Sequence, residues 1–200
     1  MRSKGLLALI VVVLLIGMAG CAGCGAYNRM VEADEMVARA WADLQAQYQR
    51  RADLIPNLVR TVQASANFER ETLEAVTNAR ARATSITLSV EDLSDPEKVR
   101  QFQEAQAQLS SALARLLAVA ENYPQLQTTE AFRDLLVQLE GTENRIAVAR
   151  RDYNEAVRRY NTLVRRFPTV LVASLTGFAP KQPFEAAESA QEAPEVEFDL

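Results

Sequence analysis

Between Phe132 and Phe167 the chain sets a large apolar or aromatic residue at every seventh position: Phe132, Leu139, Ile146, Tyr153, Tyr160 and Phe167. Three positions after these lie Leu135, Thr142, Ala149, Ala156 and Leu163. Four positions after them lie Leu136, Glu143, Arg150, Val157 and Val164. The spacing predicts one helix with a single apolar stripe and two charges, Glu143 and Arg150, at its edge. At the helical rise it is on the order of 50 Å long. A stripe of that length cannot stay in water, so other helices must cover it.

The rest of the chain supplies the cover. Tyr27, Val31, Asp34, Val37, Trp41, Leu44, Tyr48 and Ala52 recur at alternating threes and fours, predicting a first helix over 27–52 with Asp34 as its one polar intruder. Pro56 removes a backbone donor and disfavours helix at Ile55, which makes Asp53 the expected cap or kink point. A second helix then runs to about Ser85, with Leu58, Val62, Ser65, Leu73, Val76 and Ala83 on its buried side. Ile86 to Leu93 reads as a loop. Ser94-Asp95-Pro96-Glu97 reads as a capping box with proline in the first turn. The third helix carries Val99, Phe102, Gln106, Leu109, Leu113, Leu116, Ala120 and Tyr123 on one face and ends at Pro124. Thr128 or Thr129 caps the fourth, and Pro168 closes it. The expected fold class is therefore all-α: an antiparallel up-and-down four-helix bundle of long helices, preceded by an N-terminal membrane segment. Gly141 inside the fourth helix is expected to let a neighbouring helix approach. The run TVLVASLTGF after Pro168 is apolar enough to dock on the bundle end.

The membrane segment is legible in charge. Arg2 and Lys4 precede a stretch with no charge before Arg29. Two readings stand open. Gly5 to Ala26 is long enough for one transmembrane helix. Alternatively, Leu6 to Ile16 is the apolar core of a secretory signal, followed by a lipid-bearing cysteine. Met18-Ala19-Gly20-Cys21 resembles a bacterial lipobox, with Cys24 as the alternative lipidation site. Four of the seven glycines, at 17, 20, 23 and 25, weaken a continuous helix here and favour processing. Under either reading the body lies outside the cytoplasm, because the basic residues stay inside.

The expected organisation is thus 1–26 as anchor or lipoprotein signal, 27–184 as the bundle and 185–200 as an acidic disordered tail. The net charge of −4 is unevenly placed: six acidic residues and no basic one follow Phe184, which leaves the body near neutral. That argues against a nucleic-acid groove. The chain has no histidine, and both cysteines lie in the first thirty residues. The body thus lacks the commonest general base, any thiolate and the usual metal-ligand sets, and no cofactor is expected. A di-metal bundle wants Glu-x-x-His pairs, which this chain cannot supply.

Several motifs occur in order along the body: Tyr27-Asn28, Trp41, Arg50 to Val59 (RRADLIPNLV), Ala79-Arg80 and Tyr123-Pro124. After Leu126 and Phe132 come Thr142-Glu143-Asn144, Ile146-Ala147, Ala149-Arg150, Tyr153-Asn154, Tyr160-Asn161 and Phe167-Pro168. Together they resemble the LemA family of bacterial membrane-anchored proteins over roughly residues 27–184. The resemblance implies a four-helix bundle outside the cytoplasm, anchored at its N-terminus, with no established enzymatic activity and no catalytic residues to carry over. Gly23-Cys24-Gly25-Ala26-Tyr27-Asn28 is similar to a lipid-type entry found in a branch of that family, with one extra residue. In the family the chain resembles, genes are often neighbours of membrane proteases or of another secreted, membrane-linked domain family, which implies envelope quality control by association only.

The polar residues beside the apolar stripes are the candidate site. Arg50, Arg51, Asp53 and Asn57 cluster at the expected bend. Glu143 and Arg150 share a helix face beside Asn144, and Asn154 and Asn161 each follow a stripe tyrosine. As structure, they are interhelical hydrogen bonds and ion pairs that fix register. As function, they line a ligand pocket between helices. Three function classes follow. One is a non-enzymatic scaffold of the cell envelope with a protein partner. The second is a sensor binding a small polar molecule or lipid between helices. The third is a carboxylate-only hydrolase using Glu143. The scaffold fits the empty catalytic inventory best. Oligomeric state is not encoded in these patterns.

Overall fold

The computed structural model describes residues 2–64 and 68–184, with side chains at Val13, Leu14, Gly17 and Met18 and from Gly23 onward. The expected acidic tail and Ser65 lie outside the described residues. The chain is all-α. Its helices are α1 (Arg2–Gln63), α2 (Arg70–Ser85), α3 (Pro96–Ala120), α4 (Pro124–Gln127), α5 (Glu130–Arg165) and α6 (Thr169–Thr176), with a 3-10 turn at Asp92–Ser94. The long helices pack together, α1 chiefly on α5 and α2 chiefly on α3. Among the described residues no helix is long and apolar enough to cross a membrane.

Two buried clusters fill the interior. The first gathers Met30, Val37, Trp41, Leu44 and Tyr48 of α1 with Phe102, Ile146, Tyr153, Tyr160 and Val164. The second gathers Leu54, Ile55, Leu58 and Val62 with Leu73, Val76, Leu109, Leu113, Leu116, Phe132, Leu135 and Leu139. The seven-residue stripe of α5 is buried from Phe132 through Tyr160. Phe167 departs from it: the helix ends at Arg165, Arg166 is extended, and the Phe167 ring is 76% exposed.

The expected break near Pro56 does not occur. Pro56 sits inside α1, and the chain turns only after Gln63. Asp53 is accordingly not a cap; its carboxylate accepts from Gln49 Nε2 at 2.7 Å along the same helix. A proline within a helix leaves the carbonyl four residues earlier without its donor. Here that carbonyl belongs to Ala52, which is buried, and Arg80 Nε of α2 donates to it at 2.7 Å. The side chain of one helix thus repairs the ladder of another, and the first helix continues through the position where sequence predicts a break. Leu58 and Val62 still meet Leu73 and Val76, but across two helices rather than along one.

Two smaller expectations change. The N-cap of α3 is Asp95, not Ser94: its side chain accepts from the backbone N–H groups of Glu97 and Lys98, and Pro96 occupies the first turn. Gly141 marks no close helix approach. A Cβ there meets only the flexible end of Arg145, at 3.5 Å.

The repair at Pro56 gives a test. Arg80→Met is expected to lower stability in denaturant titrations by about 1–3 kcal/mol, the cost of orphaning a buried carbonyl. In a Pro56→Ala background, which restores the missing N–H, the same change is expected to cost less than about 1 kcal/mol. Equal losses in both backgrounds rule the repair out.

Candidate functional site

The polar residues picked out by sequence separate into three groups. Arg51 is the centre of the first. It lies on the inner face of α1 and is fully buried. Its Nη1 donates to Glu143 Oε1 of α5 at 2.8 Å and to Ser110 Oγ of α3 at 2.8 Å. Its Nη2 donates to Gln106 Oε1 at 2.6 Å, and its guanidinium lies 5.3 Å from the Tyr48 ring. Gln106 in turn donates to the Ala83 carbonyl at the end of α2 at 3.2 Å. All four long helices therefore meet at one cation. Among the described residues, Arg51 Nε is the one buried side-chain polar atom without a hydrogen-bond partner. Glu143 is half-exposed, so a carboxylate that keeps solvent contact balances a cation that has none.

Beside this layer, Arg150 Nε donates to the Tyr48 hydroxyl at 2.8 Å and does not reach Glu143. Burial pushes the Tyr48 phenol above its ordinary value; the Arg150 guanidinium works in the opposite direction. Sequence reasoning missed Gln106 and Ser110 as network members. The signal was present for Gln106, the one amide in the apolar face of the third helix.

The second group is a clamp. After Gly177, in the left-handed region at φ +81°, the chain runs extended along α5 to Phe184. Asn161 Nδ2 donates to the Lys181 carbonyl at 2.7 Å, and its Oδ1 accepts from the Lys181 N–H at 2.8 Å. Asn154 does the same to Phe184, both contacts at 2.8 Å. Between them Tyr160 donates to the Ala179 carbonyl at 3.0 Å and Tyr153 to the Gln182 carbonyl at 2.9 Å. The repeated Tyr-Asn pairs thus hold a strap of main chain rather than another helix, correcting the interhelical expectation. Phe184 packs its ring against both Tyr153 and Trp41, at centroid distances of 5.2 and 6.0 Å. Lys181 is buried against the Asp34 carboxylate, which accounts for the polar intruder in the first stripe.

The third group faces outward. Arg50 reaches Gln138 Oε1 at 3.3 Å, Asn57 accepts from Arg60 one turn on, and Asn144 is exposed. They do not join Arg51. Cys24 is exposed on α1, while the side chain of Cys21 lies outside the described residues.

The chemistry open to this arrangement is narrow. The cleft nearest the Arg51 layer, lined by Tyr48, Ala52, Ala83, Phe102 and Gln106, holds about 90 Å³. Ligand pockets usually run to roughly 300–1,000 Å³. Among the described residues no group of three or more Cys, Asp or Glu side chains converges to hold a metal ion.

A body of long packed helices, with one polar layer at its centre and a strap held by paired asparagines, places the chain among all-helical proteins. The LemA family model matches residues 40–198, and the chain belongs to the LemA family. The chain is 27% identical over 175 residues to magnetosome protein MamQ 2 of Paramagnetospirillum magneticum, covering 80% of this chain and 64% of the relative. It is 25% identical over 168 residues to magnetosome protein MamQ of Magnetospirillum gryphiswaldense, covering 76% and 62%. The chain therefore spans a little under two thirds of the length of these relatives.

Two measurements follow. Glu143→Ala strands the buried Arg51 cation, so unfolding in denaturant is expected to shift by about 2–4 kcal/mol, softened by the exposure of the carboxylate. A shift below about 0.5 kcal/mol, ordinary for a surface change, removes the network from the list of fold determinants. The second measurement concerns alkali. Burial raises Tyr48 and Tyr153 and pushes Tyr160 up to about 12. Phenols that ionise later when folded contribute stability that is complete below the unfolded value near 10 and is lost as pH rises toward 12. Melting temperature is expected to fall across that window in step with phenolate absorbance; a flat profile contradicts it.

Proposed function

We propose that this chain is a membrane-anchored, non-enzymatic scaffold of the bacterial cell envelope, which presents its helical body to a protein partner outside the cytoplasm. The observation that carries the reading is the continuity of α1. One helix runs from Arg2, through the uncharged segment before Arg29, into the centre of the bundle at Arg51. Val13, Leu14 and Met18, within that uncharged segment, are exposed apolar side chains. Apolar residues that face outward along a charge-free helix are what a bilayer accepts. The unbroken helix favours the uncleaved anchor over lipidation at Cys21 or Cys24.

The closed Arg51 layer weighs against the sensor reading. Its Nη donors are spent on protein acceptors, and the neighbouring cleft, at about 90 Å³, is smaller than an ordinary ligand pocket. Without histidine, Glu143 has no partner base, and its carboxylate is engaged by Arg51 at 2.8 Å. The magnetosome association belongs to the relatives. At 27% identity over 64% of their length, what passes to this chain is the helical body.

Two experiments test the reading. Intact-mass spectrometry of membrane-extracted protein is expected to return a chain that retains Arg2; diacylglycerol on a new N-terminal Cys21 or Cys24 replaces the anchor by a lipid. Photocrosslinkers at the exposed Val137 and Val148 of α5 are expected to capture a discrete envelope protein in living cells. If neither these sites nor others around the bundle yield an adduct, the scaffold reading is abandoned.

A further inference from the structure

Helix α6 carries apolar side chains on the face turned away from the bundle. Leu171 and Leu175 lie one turn apart and are 56% and 87% exposed; Val170 is 38% exposed, and Phe167, just before the helix, is 76% exposed. The opposite face is occupied, since Ala173 is buried and Val172 packs against the first core cluster. No charged residue occurs between Arg166 and Lys181. Four large apolar side chains gathered at one end of the body need a cover.

The position of α6 says what the cover is. It packs on α1 and α5. Phe178, two residues past its end, meets the Tyr27 ring edge-on at 5.7 Å. Tyr27 is where the uncharged stretch of α1 gives way to charge at Arg29. The outer face of α6 thus lies level with the boundary between the charge-free part of α1 and the body. Arg29, Arg165 and Arg166 are exposed around the same level. An apolar face rimmed by arginines at the foot of a charge-free helix matches the headgroup boundary of a bilayer, where apolar side chains enter about 5–10 Å and guanidinium groups stay at the phosphates.

We infer that the Phe167–Leu175 face is a second membrane contact: α6 rests in the interface of an anionic phospholipid bilayer and fixes the tilt of the bundle on its anchor. The inference rests on the anchor reading above. One point of attachment leaves a rod free to swing; a second, offset from it, sets an orientation. Docking of α6 also places Arg165 and Arg166 against lipid phosphate, which accounts for two cations with no carboxylate partner among the described ion pairs.

The test uses the full chain reconstituted into phosphatidylcholine–phosphatidylglycerol vesicles whose acyl chains carry bromine, a contact quencher of indole. The native Trp41 is buried and gives a constant background. Leu175→Trp and Leu171→Trp each add one reporter at an exposed position. Val137→Trp, also exposed but about 45 Å away along α5, is the control. The expected result is flotation of every variant with the vesicles, with most of the added emission lost at 171 and 175 and retained at 137. If all variants float but 171 and 175 are quenched no more than 137, α6 does not touch lipid and the inference fails while the anchor stands. Crosslinking between copies through position 175 in that case assigns the face to self-association. If the chain does not float, the anchor reading fails and this inference goes with it.

Discussion

A single buried guanidinium divides this protein in two and holds the halves in line. Arg51 has no solvent contact, and removing a cation from water costs several kcal/mol before any compensation. The chain meets that cost with acceptors from two other helices: the Glu143 carboxylate of α5, and the Gln106 amide and Ser110 hydroxyl of α3. Below this layer lies the aromatic cluster of Trp41, Phe102, Tyr153 and Tyr160; above it lies the aliphatic cluster of Leu58, Leu109, Leu116 and Leu139. Apolar packing alone does not set how far one helix slides past another. The polar layer does.

Slide α5 by seven and Arg51 faces Leu136 or Arg150 in place of Glu143. Slide α3 by seven and it faces Val99 or Leu113 in place of Gln106. Either slip preserves an apolar stripe and strands a buried charge. Uniform stripes leave register ambiguous, and one polar position in each resolves it. The strap adds a second fixture in the aromatic half. Asn154 and Asn161 each satisfy both the N–H and the C=O of one strap residue, so the extended chain from Gly177 to Phe184 is paired with side chains where a sheet would use another strand.

The helices and their buried faces were legible in the sequence because both depend on a short period. The α5 stripe, the Asp34 anomaly, the loop at 86–93 and the proline-marked start of α3 could all be read from spacing. The continuity of α1 could not. Pro56 carries a local penalty, and the compensation comes from Arg80, 24 residues further on and on a different helix. Local rules register the cost but not a remote donor. The same limit governs the site. Arg51 and Glu143 stood out as polar residues beside stripes, but Asp53 and Asn57, adjacent in sequence, turn outward because a helix rotates about 100° per residue. Asn154 and Asn161 stood out as a repeat, yet their partner is the backbone of residues 181 and 184, and backbone carries no sequence signal. Phe167 joined the heptad count and fell outside the core because the helix had already ended at Arg165.

The distribution of these fixtures is itself asymmetric, and the asymmetry bears on what the body can do. The aromatic cluster, the strap, the Lys181–Asp34 pair and α6 all lie in the half of the bundle where α1 enters. The far half has aliphatic packing, the turn after Gln63, the short α4 and a Phe68–Tyr123 ring contact at 5.0 Å. Among the described residues, fewer side-chain to backbone bonds between elements hold it, so its local opening is the cheaper one. The half where α1 enters is thus the more heavily cross-braced one, because it buries Lys181 and a strap of main chain whose polar groups all need partners, and the other half has neither.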